Sequence, residues 1–160
     1  MLPAITLAQG TYQSPKEFIA SVFPNDTANK KKLWITRSLK PTVKQILGHD
    51  LGSLRVRYWG ADKRTAWILE EIGKEKPITT GIVVNNGRIE KIKVLVFRES
   101  RGWEVKHDFF TNQFTGVTLQ DNKTLSKPID GISGATLSVR ALKKLAALAL
   151  YFHQQTPFAK

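Results

Sequence analysis

The chain has 160 residues, 41% hydrophobic and 24% charged, with 25 Lys and Arg against 13 Asp and Glu for a net charge of +12. That length supports one domain with a real core, and the composition is that of an ordinary soluble globular protein, not of a disordered or membrane chain. Zero cysteines exclude disulfides, thiolate metal sites and a cysteine nucleophile, and no apolar run reaches the ~20 residues that span a bilayer.

Residues 1–13 form an N-terminal segment. Within it, Leu2 to Gln9 reads as the tail of a secretory signal with cleavage after Ala8, although the basic and long apolar parts of such a signal are missing. Ser14 as N-cap, Pro15 in the first helical position and Glu17 closing a capping box predict a helix start. Phe18, Ile19, Val22 and Phe23 give that helix one apolar face, and Pro24-Asn25-Asp26 ends it. A second helix is expected over 41–47, with Val43, Ile46 and Leu47 inward and Gly48 as its stop. The densest basic run is Lys30-Lys31-Lys32; the other cations are scattered, which reads as a solvated basic surface or one that steers an acidic partner.

The period then changes. Residues 54–59 and 65–72 are strand-like around a hairpin loop at 60–63. Residues 78–84 and 88–97 flank Asn85-Asn86-Gly87, a hairpin signal because Asn and Gly accept positive φ. In the last of these strands Ile89, Lys91 and Lys93 alternate poorly, whereas Ile92, Val94 and Val96 share a face. About four antiparallel strands with one buried face follow, and Trp34, Trp59 and Trp67 are assigned to the core. A loop over 98–106, a short helix over 107–114 closed by Thr115-Gly116, and an irregular polar stretch over 117–129 lead to a final helix over 137–154. Val139, Leu142, Leu145, Ala146 and Ala149 form its inner face. The expectation is a single α+β domain over 14–160, an antiparallel β-sheet flanked by helices, with a long C-terminal helix.

That helix is entered through Asp130-Gly131-Ile132-Ser133-Gly134-Ala135-Thr136-Leu137-Ser138, which sets three hydroxyls and two glycines at its mouth. Helix entrances expose unpaired N–H groups and carry partial positive charge, so they suit phosphate, held non-covalently or esterified to a hydroxyl. The blander alternative is an ordinary helix start with Ser133, Thr136 or Ser138 as N-cap. Upstream, and in order, stand Asn86-Gly87-Arg88-Ile89, Glu99-Ser100-Arg101-Gly102 and Phe114-Thr115-Gly116. Together these four elements resemble the FMN-binding domain family, found in the flavoprotein subunits of sodium-pumping NADH:quinone reductase and the Rnf complex. The resemblance covers residues 78–150. The first 77 residues carry no assignable motif and are expected to complete the sheet.

The resemblance implies that a magnesium-dependent flavin transferase, with FAD as donor, joins FMN through a phosphodiester to Thr136. Gly131 and Ser133 would shape the attachment segment, and Gly134 and Ala135 would keep the approach to Thr136 open. Asp130 would either orient the segment or help recruit the transferase's metal. Ser100 and Gly102 would form a wall of the flavin site, Gly102 by letting backbone approach the ring, and Glu99 either belongs to that wall or is a surface charge on a strand end. Trp103 either stacks on the ring or is a plain core aromatic. Phe114 and Gly116 either line the other side or belong to the core and a turn.

His49, His107 and His153 lack ligand spacing, so no protein metal site is expected. No phosphate loop, nicotinamide fingerprint or nucleophile elbow is present, and no catalytic residue is assigned. A flavoprotein without a pyridine-nucleotide site is better read as an electron carrier than as a complete reductase. With the placement that the resemblance implies, the expected function is an extracytoplasmic (periplasmic) flavoprotein, exported by a signal peptide, that shuttles electrons between a membrane-associated donor and an acceptor, with an acidic redox protein as a candidate partner. It would not bind nucleic acid, and it would touch membranes only through partners. One alternative is a basic nucleic-acid- or membrane-surface-binding module without flavin. Another is a scaffold subunit whose flavin is structural.

Overall fold

The computed structural model describes residues 9–160, so the signal-like stretch up to Ala8 lies outside the described residues. Ser14 accepts from the Glu17 amide at 3.1 Å and Glu17 answers on the Ser14 amide at 3.4 Å, so the capping box forms and opens helix α1 (Pro15–Val22). The second helix, α2 (Lys40–Leu47), ends on left-handed Gly48. Before, between and after them run β1 (Gly10–Thr11), β2 (Asn29–Trp34), β3 (Arg55–Ala61), β4 (Arg64–Ile72), β5 (Pro77–Asn85) and β6 (Arg88–Phe97). They form one antiparallel sheet in the order β1-β6-β5-β4-β3-β2. Two-residue loops join β3 to β4 and β5 to β6, with Asp62 and Asn86-Gly87 taking the positive φ such turns require. A short helix α3 (Asp108–Thr111) and a long one, α4 (Thr136–Gln154), complete an α+β fold.

The sheet has two more strands than expected. β2 contains Lys30-Lys31-Lys32, whose charge hides the strand in the sequence; on an edge, those lysines deter pairing with another chain. β1 is only two residues long. Both sheet faces are covered, not one. Helix α4 lays Leu142, Leu145 and Phe152 against Trp67, Ile82, Val84 and Ile89 on the first face. Phe18 of α1 and Phe23 pack with Ala66, Val83 and Leu95 on the second. Gly81 makes this possible: the Phe18 ring lies 2.6 Å from where a Cβ would stand.

Bulges explain the poor alternation of β6. Thr79 and Thr80 pair with Val96 and Val94, leaving Leu95 extra; Val83 and Val84 pair with Lys91 and Ile89, leaving Glu90 extra. Each bulge resets the phase, so Ile89, Ile92, Val94 and Phe97 all reach the α4 side. Val96, expected beside Ile92 and Val94, turns instead to the α1 side with Leu95. Of the three tryptophans assigned to the core, Trp67 is fully buried and stacked on Tyr58 with ring centroids 4.6 Å apart, and Trp59 is half-buried. Trp34 is 57% exposed, at the end of the edge strand with the Arg55 guanidinium over its ring.

Two polar clusters tie the helices to the sheet. Glu71, 5% exposed near the end of β4, accepts from His49 Nε2 at 2.9 Å and lies 3.5 Å from Lys144 Nζ on α4. His49 Nδ1 is 2.7 Å from the Asp50 carbonyl. Both ring nitrogens thus face acceptors, and the Asp50 carbonyl and then Glu71 raise the His49 pKa. At the other end of α4, Trp67 Nε1 donates to Thr65 Oγ1 at 2.8 Å, which leaves the threonine proton for His153 Nδ1 at 2.7 Å. His153 is 1% exposed, and burial lowers its pKa to about 4.

An unfolded His153 titrates near its ordinary value of about 6.5, so below that pH the unfolded chain binds the extra proton and the folded chain does not. Stability is therefore complete above about 6.5 and falls as the pH drops toward the folded pKa, by up to about 3 kcal/mol. His49, with its raised pKa, contributes with the opposite sign, its stability being present at low pH and lost as pH rises. Urea unfolding of the parent chain and of His153→Asn across this window should isolate the term. An identical pH slope in both proteins would refute it.

Candidate functional site

The start of α4 is built without a side-chain cap. Ala135 occupies the N-cap position, Thr136 is the first helical residue and Ser138 the third, so none of the three hydroxyls fills the capping role. The Ala135 amide bonds the Ile132 carbonyl at 2.9 Å, and the first intrahelical bond runs from Val139 to Ala135. The amides of Thr136, Leu137 and Ser138 have no acceptor among the described residues. Three open donors at the positive end of a 19-residue helix suit an anion. Gly134, at φ +82, turns the chain into the helix with nothing within 4 Å of its missing Cβ, and Thr136 is exposed beside it.

Two cavities meet at Thr136. The smaller, about 530 Å³, is walled by the Glu99-Ser100-Arg101-Gly102 loop, by the Lys74–Lys76 turn and by Gly134 to Ser138. The larger, about 840 Å³, lies on the other side of α4, with Gly131, Arg140 and Lys144 among its walls. Both volumes are in the range of small-molecule sites, roughly 300–1,000 Å³.

Glu99 positions the smaller cavity's outer wall. Its carboxylate accepts from the amides of Lys74 at 2.8 Å, Glu75 at 2.5 Å and Lys76 at 3.2 Å, and so fixes the turn between β4 and β5. Partial burial pushes the Glu99 pKa up, but the three amides outweigh it and hold it below the usual carboxylate value. With that charge engaged, Lys74, Lys76, Arg98 and Arg101 outnumber Glu75, the other carboxylate in the wall, and leave it predominantly cationic. Gly102 also makes room for α4, because a Cβ there would collide with Ser138 Oγ. Gly73 is bare for a related reason, since a Cβ would come 2.7 Å from Glu99 Oε2.

Of the residues singled out in the sequence, Glu99, Ser100, Gly102, Gly134, Ala135 and Thr136 come together at the smaller cavity, and Gly131 lines the larger. Ser133 is exposed and lines neither. Asp130 is exposed, its backbone clamped by Gln113, which accepts at 2.7 Å and donates at 3.2 Å. Trp103 is half-buried, edge-on to His107 at 5.5 Å, and Phe114 is fully buried against Phe110. Gly116 turns at φ 83 and its amide bonds the Ile89 carbonyl at 2.8 Å. Those three line neither cavity. The Lys74–Lys76 turn gave no sequence signal, because only the three bonds to Glu99 bring it there. Leu137 and Arg98 were findable as neighbours of Thr136 and Glu99.

Among the described residues no group of three or more His, Asp or Glu is placed to hold a metal, and no helix is long and apolar enough to cross a membrane. Comparison with known proteins gives no significant match among curated proteins or among solved structures. The family model of the FMN-binding domain matches residues 73–151, from the glycine beneath Glu99 to the last turn of α4. Residues 73–151 thus form an FMN-binding domain, of the family that the four sequence elements resemble.

Proposed function

We propose that this chain is an electron-transfer flavoprotein that carries FMN through a phosphodiester on Thr136 and works outside the cytoplasmic membrane, between a membrane-associated donor and an acceptor. The observation that carries the reading is the exposed Thr136 hydroxyl, at an uncapped helix start and on the rim of a cavity of flavin-site size. In attachment, Thr136 Oγ forms the bond to the FMN phosphorus, the pyrophosphate bond of FAD breaks, AMP leaves, and the hydroxyl proton passes to a base of the transferase or to solvent. The open amides of Thr136, Leu137 and Ser138 then hold the remaining phosphate charge. An exposed contact of this kind contributes about 0.3–1 kcal/mol, too little to retain a cofactor, so the covalent bond does the retaining.

Once bound, the flavin supplies reversible one- and two-electron chemistry. The chain supplies the seat: Ser100, Gly134 and Ala135 beside the tether, the Lys74–Lys76 turn as outer wall, and Glu99 as the residue that positions that turn. A tether on Thr136 keeps the ring at an effective concentration on the order of millimolar over this cavity, so a shallow, open seat suffices and leaves the ring reachable by partners. Placement outside the membrane rests on the resemblance, since in the family the transferase acts after export.

Co-expression with a flavin transferase should add the mass of one FMN less water to the 130–138 peptide, and Thr136→Val should abolish the gain. Because Thr136 is not the N-cap, that change should alter stability by less than about 0.5 kcal/mol. Flavin fluorescence retained by the denatured variant would refute the linkage. Glu99→Ala removes the acceptor of three amides, so the mass gain should persist while the absorption band of the attached flavin shifts as the wall loosens. A band identical to the parent's would remove Glu99 from the seat.

A further inference from the structure

The larger cavity is unusual in its charge. Lys123, Lys127, Arg140, Lys143 and Lys144 line it, and no carboxylate does. Lys127, Arg140 and Lys143 have no ion-pair partner among the described residues, while Lys144 leans on Glu71 at 3.5 Å and Lys123 lies 5.6 Å above the Tyr151 ring. Three of these cations belong to α4 at helical spacing from the attachment residue: Thr136, Arg140, then Lys143 and Lys144. At 1.5 Å per residue the stripe spans about 12 Å from hydroxyl-bearing residue to last cation. The loop over 120–128 supplies the facing wall, with its own two lysines.

From this geometry we infer that the basin is the docking site of an acidic protein partner, one that presents a protruding run of Asp and Glu beside the tethered flavin. The inference rests on the carrier reading and names the surface that reading needs. Charge complementarity selects the partner's sign. A concave basin takes a protruding loop or helix end, whereas a flat bilayer cannot enter it. The wall contains no Phe, Tyr or Trp on which nucleobases would stack, and amide side chains (Gln45, Gln120, Asn122) fit hydrogen bonding to a polypeptide. Thr136 lines both cavities, so an occupant of the basin lies against the residue that bears the cofactor.

The test uses the flavinylated chain and a fluorescent peptide of eight glutamates, titrated at low salt. Arg140→Glu/Lys143→Glu should weaken peptide binding at least tenfold, and Lys30→Glu/Lys32→Glu, which makes the same charge change on the edge strand, less than twofold. Circular dichroism of both variants checks the fold, which these exposed positions should not disturb. Equal losses in the two variants, or no peptide binding by the parent, would overturn the inference. So would vesicles of anionic lipid or a single-stranded oligonucleotide that bind more tightly than the peptide and lose most on the Arg140/Lys143 change. Intact mass of the same samples separates the two proposals. A bare Thr136 in the presence of active transferase sinks the carrier reading, whereas flavinylated protein with no variant-specific loss sinks only the docking site.

Discussion

Everything at the site depends on how closely the start of α4 can approach the Glu99-Ser100-Arg101-Gly102 loop. Ser138 Oγ occupies the space a Cβ on Gly102 would need, and it lies 3.7 Å from the corresponding position on Gly73. Glu99 fills the remaining space and binds three consecutive amides of the turn that follows Gly73. Two missing side chains thus let one helix entrance, one loop and one turn share a single small volume. A methyl group on Gly102 would displace Ser138 at the start of α4, and one on Gly73 would displace the Glu99 carboxylate, so either would change the shape of the smaller cavity.

This close approach also explains why no side chain caps α4. Ser138, which could have served as N-cap to a helix beginning three residues later, is committed to the contact with Gly102, and the chain enters the helix from left-handed Gly134 through Ala135. The helix keeps its open amides in consequence. Its first four amides stabilise the protein less than a capped start would, by about 1 kcal/mol. What is gained is a donor array beside an exposed hydroxyl, which a serine or aspartate cap would have filled.

Much of this was legible in the sequence, and the reasons are local. The Ser14-Glu17 capping box, the Asn86-Gly87 turn and the α4 stripe each depend on residues a few positions apart, and each formed as read. The lysine-rich β2 did not read as a strand, because its partner supplies what its own residues do not: six register pairs with β3. The bulges at Leu95 and Glu90 defeated the alternation rule, since a strand's phase depends on its neighbour's register as well as on its own pattern. At the site, the Glu99-Ser100-Arg101-Gly102 loop lies beside Thr136, and the contact of Gly102 with Ser138 had no signal in the sequence. Phe114 and Gly116 stood in family-like order, and of the two readings open to each, the core and a turn are what the packing shows. Order along the chain says that elements occur together; which of them touch is decided by packing.

The distribution of charge carries the last step. A net charge of +12 is by itself a weak guide, because it sums cations with unrelated duties. Lys30-Lys31-Lys32 protect an edge; Lys74, Lys76, Arg98 and Arg101 flank the smaller cavity; Arg64 pairs with Glu90 at 2.9 Å. Five more are gathered in a basin free of carboxylates, and the fold draws them from a loop and a helix up to 21 positions apart in the chain, Lys123 to Lys144. On the carrier reading, one cationic surface meets the cofactor's phosphate and ring while the other meets a partner, with Thr136 on the boundary between them. A threonine elsewhere on α4 could bear the same ester. Only at this boundary would a single tether leave the ring seated on one side and within reach of a docked protein on the other.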